Sequence, residues 1–123
     1  MDPSPRKYVP TEAYRLMLLA ALNHRPREAV SKGTLAGKTR SSHYAITKAL
    51  DLLRQEKLVA LTGSPQQGYL IQLTELGRRY CQRHDAYIVE SLRTASEKQF
   101  RYGRRPAWLE AALARSPTSP SGT

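Results

Sequence analysis

Apolar side chains in the middle of the chain return at spacings of three and four: Tyr44 or Ala45, then Ile46, Ala49, Leu50, Leu52 and Leu53. That is the period of one buried face of an α-helix. The opposite face carries Arg40, Ser42, His43, Thr47, Lys48 and Arg54, with a single acid, Asp51, near its centre. Just upstream, Ser31 is placed to cap a short helix whose inward residues are Leu35 and Ala36, while Ala36 and Gly37 are small enough for a second helix to cross closely. Lys38, Thr39, Arg40 and Ser41 then read as a tight polar turn, with Ser41 or Ser42 capping the longer helix.

Elements of other kinds flank this helix pair. Thr11 reads as a cap with Glu12 behind it, opening a helix through Tyr14 and a nearly continuous apolar series, Leu16 to Leu22, that ends near Asn23 or His24. Such a series is too short to cross a bilayer and implies burial on most sides, so this is the expected central packing helix. After Lys57, the run Leu58 to Thr62 and the run Tyr69 to Leu73 are β-compatible, and the polar stretch Gly63 to Gly68 between them predicts a hairpin with a six-residue loop. A lone hairpin is marginal in water and must lie on the helical core.

From residue 74 to about 101 the pattern predicts one long helix, with Leu76, Tyr80, His84, Tyr87, Ile88, Ser91, Leu92, Ala95 and Gln99 or Phe100 on a single stripe. Tyr102 to Pro106 breaks it. A short amphipathic helix follows, with Pro106 at its first position and Trp108, Leu109, Ala112 and Leu113 on one side. It can dock on its own chain or on a partner. Residues 1–10 hold three prolines and predict an extended arm, in which Arg6, Lys7 and Tyr8 could follow a nucleic-acid groove; residues 116–123, rich in Ser, Thr and Pro, predict an unstructured tail.

Composition narrows the function classes. The 123-residue chain has the length of one domain with tails, and its 20 Lys and Arg against 10 Asp and Glu leave a formal charge of +10. Residues 11–57 hold nine bases and four acids, so half of the excess lies around the helix pair. This balance favours a polyanionic partner. The chain has neither a membrane-length apolar run nor the apolar core of a signal peptide at its start, which makes the cytoplasm, around the nucleoid, the expected location and a membrane partner unexpected. One cysteine, Cys81, and the scattered His24, His43 and His84 give no disulfide and no metal-ligand spacing. No catalytic constellation and no cofactor motif stand out, so the expectation is a binding protein rather than an enzyme, with no cofactor and no metal. A small-molecule effector is possible in principle, but no residue set argues for one.

The order helix, short helix, turn, longer helix, hairpin, helix resembles that of winged helix-turn-helix domains. The resemblance sharpens at Gln55-Glu56-Lys57-Leu58-Val59, which is similar to the passage from recognition helix into wing. Leu73-Thr74-Glu75-Leu76-Gly77 is similar to the Leu-Thr-x-x-Gly segment that follows the wing in MarR-type and PadR-type regulators. It covers about residues 11–90. Physically, Thr74 caps the next helix and Gly77 permits close contact with the strand behind. The expected fold is therefore mainly α with a small β-hairpin: a flexible arm (1–10), a winged helix-turn-helix domain (11–73), a long C-terminal helix (74–102), and a short helix with tail (103–123).

The resemblance implies a dimeric regulator, in the main a repressor, bound to double-stranded DNA. Ser41, Ser42, His43, Tyr44, Thr47 and Lys48 would face the major groove, and Lys32, Lys38, Thr39 and Arg40 would contact phosphate. Ser64, Gln66 and Gln67 at the wing tip would approach the minor groove or backbone, although residues 58–73 carry no charge at all. Tyr44 fits the core equally well at this spacing. Leu76, Tyr80, His84, Tyr87, Ile88, Leu92 and Ala95 would form a homodimer interface, unless that helix folds back on its own domain. Two alternatives stay open: an architectural or plasmid or virus accessory protein that coats DNA with little sequence preference, and a winged helix that binds only protein.

Overall fold

The computed structural model describes residues 11–101 and 103–114. The expected N-terminal arm, Tyr102 and the Ser/Pro-rich tail lie outside these residues. The elements in order are α1 (Thr11–Asn23), β1 (Val30–Ser31), α2 (Lys32–Thr39), α3 (His43–Gln55), β2 (Val59–Ser64), β3 (Gly68–Leu73), α4 (Glu75–Arg83), α5 (Asp85–Gln99) and α6 (Ala107–Ala114). This is a winged helix fold, mainly α with a small antiparallel sheet.

The central helix is α1, which touches each of the other five described helices and β3. Leu16, Met17, Leu18 and Leu19 are all fully buried, which a helix can achieve only when it is wrapped on every side. Burial of each such side chain is worth about 1.5–3 kcal/mol. On α3 the buried stripe is Ile46, Ala49, Leu50 and Leu53. Leu52, expected on that stripe, is exposed, and so is Tyr44, at 71%.

Arg15 sits on α1 among these leucines, and it is buried too. Its guanidinium donates to both carboxylate oxygens of Glu56, from Nε at 2.7 Å and Nη2 at 2.9 Å, and also reaches the Tyr80 hydroxyl at 3.2 Å. Desolvation alone would lower its pKa, but the hydrogen bonds to Glu56 and Tyr80 outweigh this and raise it, so the cation is held. The pair ties α1 to the end of α3 and to α4.

The hairpin is tighter than its sequence suggests. Pairing runs from Val59 opposite Leu73 to Ser64 opposite Gly68, so the loop shrinks to residues 65–67. Gly63 makes this possible: its φ is +100°, and a Cβ there would lie 2.4 Å from the Gly68 carbonyl oxygen. The short strand β1 adds a third member, pairing Val30 with Ile71, which makes β3 the centre of the sheet. Ser31 ends that strand and also caps α2, accepting from the Thr34 amide at 3.0 Å. The two-residue strand was not foreseen, because nothing periodic marks so short a run. Gly37 plays no part in close packing, since a Cβ there would meet nothing within 4 Å.

The C-terminal half departs most from expectation. The single long helix is broken at His84, which closes α4 and opens α5 with φ −110° and ψ 27°. Both α4 and α5 lie against α1. Ile88, Leu92 and Ala95, expected in a dimer interface, are buried in the chain's own core, which removes them from that surface. Likewise α6 docks on its own chain, against α1 and α5. Pro106 stands just ahead of α6, where its carbonyl accepts from the Leu109 and Glu110 amides at 3.1 Å.

Thr74 closes the wing as expected: its hydroxyl accepts from the Gly77 amide at 2.9 Å and donates to the Lys57 carbonyl at 2.7 Å. A Cβ on Gly77 would lie 2.1 Å from the Leu58 carbonyl oxygen, a backbone atom that cannot move aside. We therefore expect Gly77→Ala to destabilise the fold by about 3 kcal/mol, the upper end of overpacking costs. A thermal melt unchanged from the parent protein would show that the strand and α4 can separate freely.

Candidate nucleic-acid interface

The leading end of α3 is built by its cap and its turn. Ser42 is extended (φ −71°, ψ 161°) and its hydroxyl accepts from the Ala45 amide at 3.1 Å, so the helix starts at His43. Because Ile46, Ala49 and Leu50 face inward, Ser42, His43, Tyr44 and Lys48 project outward together and all are exposed. The Lys48 ammonium lies 5.4 Å from the centre of the Tyr44 ring, so the ring's electron-rich face steadies the cation. This is a ridge of hydroxyl, imidazole, phenol and ammonium groups at the positive end of a helix dipole.

Three expected contact residues are placed differently. Thr39 is fully buried, its hydroxyl donating to the Leu35 carbonyl at 2.9 Å and sharing a hydrogen bond with Ser41 Oγ at 2.7 Å. It closes α2 instead of presenting itself to phosphate. Thr47 turns its hydroxyl oxygen inward, where it is enclosed without a hydrogen-bond partner. It lines a groove of about 200 Å³ between α3 and the sheet, together with Lys32, Leu50, Asp51, Arg54, Leu61 and Tyr69. Arg40 is exposed but engaged: its guanidinium lies 4.9 Å from the Phe100 ring centre and donates to the Arg104 carbonyl at 2.7 Å.

Arg40 belongs to a lock on the turn. It adopts the left-handed conformation (φ 52°, ψ 41°) that ends α2, and its amide bonds the carbonyl of Gly37. The final carbonyls of a helix have no partner within it. Here they are met from far along the chain. Gln99 Nε2 donates to the carbonyls of Thr39, at 2.9 Å, and Arg40, at 2.5 Å, while Trp108 Nε1 donates to the Lys38 carbonyl at 2.9 Å. The Tyr14 hydroxyl donates to Gln99 Oε1 at 3.2 Å, which orients the amide toward the turn. Trp108 is held edge-on against Phe100, with ring centres 5.9 Å apart.

On the wing, Ser64 accepts from the Gln67 amide at 3.2 Å, leaving Gln66 and Gln67 exposed at the tip with Pro65. Tyr69, 49% exposed, stands on the adjoining strand, and its alternation pattern alone did not single it out. Lys32 and Lys38 are half-buried on α2. Among the described residues no group of three or more His, Cys, Asp or Glu comes together to hold a metal ion, and no helix is long and apolar enough to cross a membrane.

These features define a winged helix-turn-helix protein with an exposed helix end and an uncharged wing. Its fold matches that of a MarR-family transcriptional regulator from Silicibacter pomeroyi, with a TM-score of 0.54 and 24% identity over 83% of this chain. The chain spans 65% of that regulator's length. Looser superpositions are found with ZitR of Lactococcus lactis (26% identity, TM-score 0.48, 84% of this chain and 68% of that one) and with the adhesin competence repressor AdcR of Streptococcus pyogenes (21%, 0.47, 86% and 72%). No protein-family model matches the sequence, and no curated protein matches it. The likeness is one of fold, and it agrees with the resemblance read from the wing and the segment after it.

The turn lock has a measurable weight. Replacing the buried Trp108 by Phe removes the N–H together with the five-membered ring that carries it, leaving the Lys38 carbonyl without that partner and a small void in the core. A loss of about 2–4 kcal/mol is expected, the unmet carbonyl and the void together. Amide hydrogen exchange at Arg40 to Ser42 should accelerate with it; unchanged exchange there would mean that the turn holds without the tryptophan.

Proposed function

We propose that this protein is a regulator that binds double-stranded DNA with sequence preference, acting as a dimeric repressor that occludes its site. The observation that carries this reading is the outward ridge of Ser42, His43, Tyr44 and Lys48 at the leading end of a helix whose other face is sealed in the core. An α-helix of that kind fits the major groove, where side chains at its N-terminal end reach base edges. Net charge of +10 supplies the attraction to phosphate, and the Silicibacter protein of the same fold is itself a transcriptional regulator.

In this reading His43 and Tyr44 reach base edges, with Ser42 beside them donating its hydroxyl proton, and Lys48, one turn further along, meets phosphate; their exposure on one helix end supports it. Gln66 and Gln67 can donate to a phosphate oxygen or a minor-groove acceptor, but an uncharged wing adds little electrostatic affinity.

A selection from random duplexes at moderate salt tests the reading directly, and a two-fold motif is the expected yield. His43→Ala should relax preference at one position of each half-site, where a good base contact is worth about 1–3 kcal/mol of discrimination. Lys48→Ala should weaken all sequences alike and lower the salt slope by roughly 0.9. Recovery of no motif, with binding still strong, would favour the non-specific coating protein instead.

For the dimer we propose the surface left outside by α4 and the start of α5. Leu76 is 51% exposed and Tyr87 49%, with Tyr80 and His84 half-buried between them and their rings 4.4 Å apart. The Tyr87 hydroxyl donates to Glu12 at 3.0 Å, which holds its proton on and raises its pKa. Leu76→Asp should shift the mass measured by sedimentation from dimer toward monomer. A dimer of undiminished stability would place the interface elsewhere.

A further inference from the structure

Two stretches without acids are brought side by side by the turn lock. No Asp or Glu occurs between Glu28 and Asp51, nor between Glu97 and Glu110. The second stretch holds Lys98, Arg101, Arg104 and Arg105, and the three arginines are exposed. It is the linker from α5 to α6, remote in sequence from the helix pair. Yet Gln99 is bonded to the Thr39 and Arg40 carbonyls, Trp108 to the Lys38 carbonyl, and the Arg40 guanidinium to the Arg104 carbonyl at 2.7 Å. The linker is pinned at both ends and in the middle against the turn that precedes α3. A Cβ on Gly103 (φ +86°) would come within 3.3 Å of that guanidinium, so the backbone passes directly over it.

We infer that Arg104 and Arg105, ahead of α6, form a second phosphate-binding element, which grips the DNA backbone beside the helix pair and does the work that the uncharged wing cannot. This rests on the DNA-binding reading above. The wing, residues 58–73, has no charge, whereas this linker brings the Arg104 backbone to the Arg40 guanidinium on the turn before α3, and Arg104 and Arg105 are exposed with no carboxylate ion pair among the described residues. Arginine forks suit phosphate oxygens in two-point contact. Because the backbone is already held at Lys38, Thr39 and Arg40, little chain freedom remains to be lost when the forks close on phosphate. The ligand is therefore the phosphodiester backbone of a duplex seated on α3, read without regard to base sequence.

The test compares the full-length chain with its Arg104→Ala/Arg105→Ala variant on a mixed-sequence duplex over a range of salt. Both side chains are exposed, so melting should be unchanged. The slope of log affinity against log salt should fall by roughly 1.8, about 0.9 for each cation removed, with the loss greatest at low salt. Base preference in the random-duplex selection should stay as it was. Arg104→Lys/Arg105→Lys should restore most of the slope. An unchanged slope overturns the inference, as does an equal fall per charge in Arg93→Ala, which removes a cation of α5 paired with Glu90 and outside the linker. Failure of the parent chain to bind any duplex at low salt would instead sink the DNA-binding reading itself.

Discussion

Three backbone carbonyls at the end of α2, those of Lys38, Thr39 and Arg40, are the point on which the rest of this structure turns. A helix that stops only three residues before the next leaves its last oxygens without intrahelical donors. Solvent could satisfy them, but it would not tie the turn before α3 to α5 and α6. Instead Gln99 and Trp108 supply the donors from α5 and α6, and Tyr14 on α1 keeps Gln99 in position. The pose of the exposed helix is thus set jointly by the core helix and by the chain's last two described helices.

At the other end of α3, Arg15 performs a comparable service. A buried cation is costly unless paired, and here both oxygens of Glu56 and the Tyr80 hydroxyl meet it. Removing Glu56 would take the main partner from a buried cation, whereas Glu56, half-exposed, could turn to solvent. The arrangement therefore fixes the end of α3 against α1 and α4 more by geometry than by net stabilisation. With one end of α3 held by an ion pair and the other by capping of the turn before it, the helix has little freedom to tilt on its bed of Ile46, Ala49, Leu50 and Leu53.

The electrostatic layout is uneven. The wing is neutral and its tip is glutamine, while Lys32, Lys38, Arg40 and Lys48 lie on the helix pair and Arg101, Arg104 and Arg105 on the linker bonded to its turn. Under the proposed function, shape and amide hydrogen bonds are left to the wing, and charge is concentrated where the backbone is most firmly tied. The groove behind Thr47 separates these two regions and holds Lys32, Asp51 and Arg54 on its rim, so the surface between helix and wing is mixed in sign.

Much of the domain was legible in the sequence because its signals are local. The caps at Ser31, Ser42 and Thr74, the stripe of α3 and the close contact at Gly77 each depend on residues a few positions apart, and each is found in the structure. What periodicity left open was which apolar partner covers a face. The stripe through Ile88, Leu92 and Ala95 has the same spacing whether a second chain or α1 lies on it, and only the folded chain shows that α5 packs on α1. Thr39 and Thr47 look polar and outward on a helical wheel, yet a turn closing on Ser41 buries one and the sheet behind α3 encloses the other. Arg104 and Arg105 show only as charge in the sequence. Their place beside the turn comes from donors at Gln99 and Trp108, roughly sixty to seventy residues away from the carbonyls they meet, a distance that no local pattern spans and that folding alone closes.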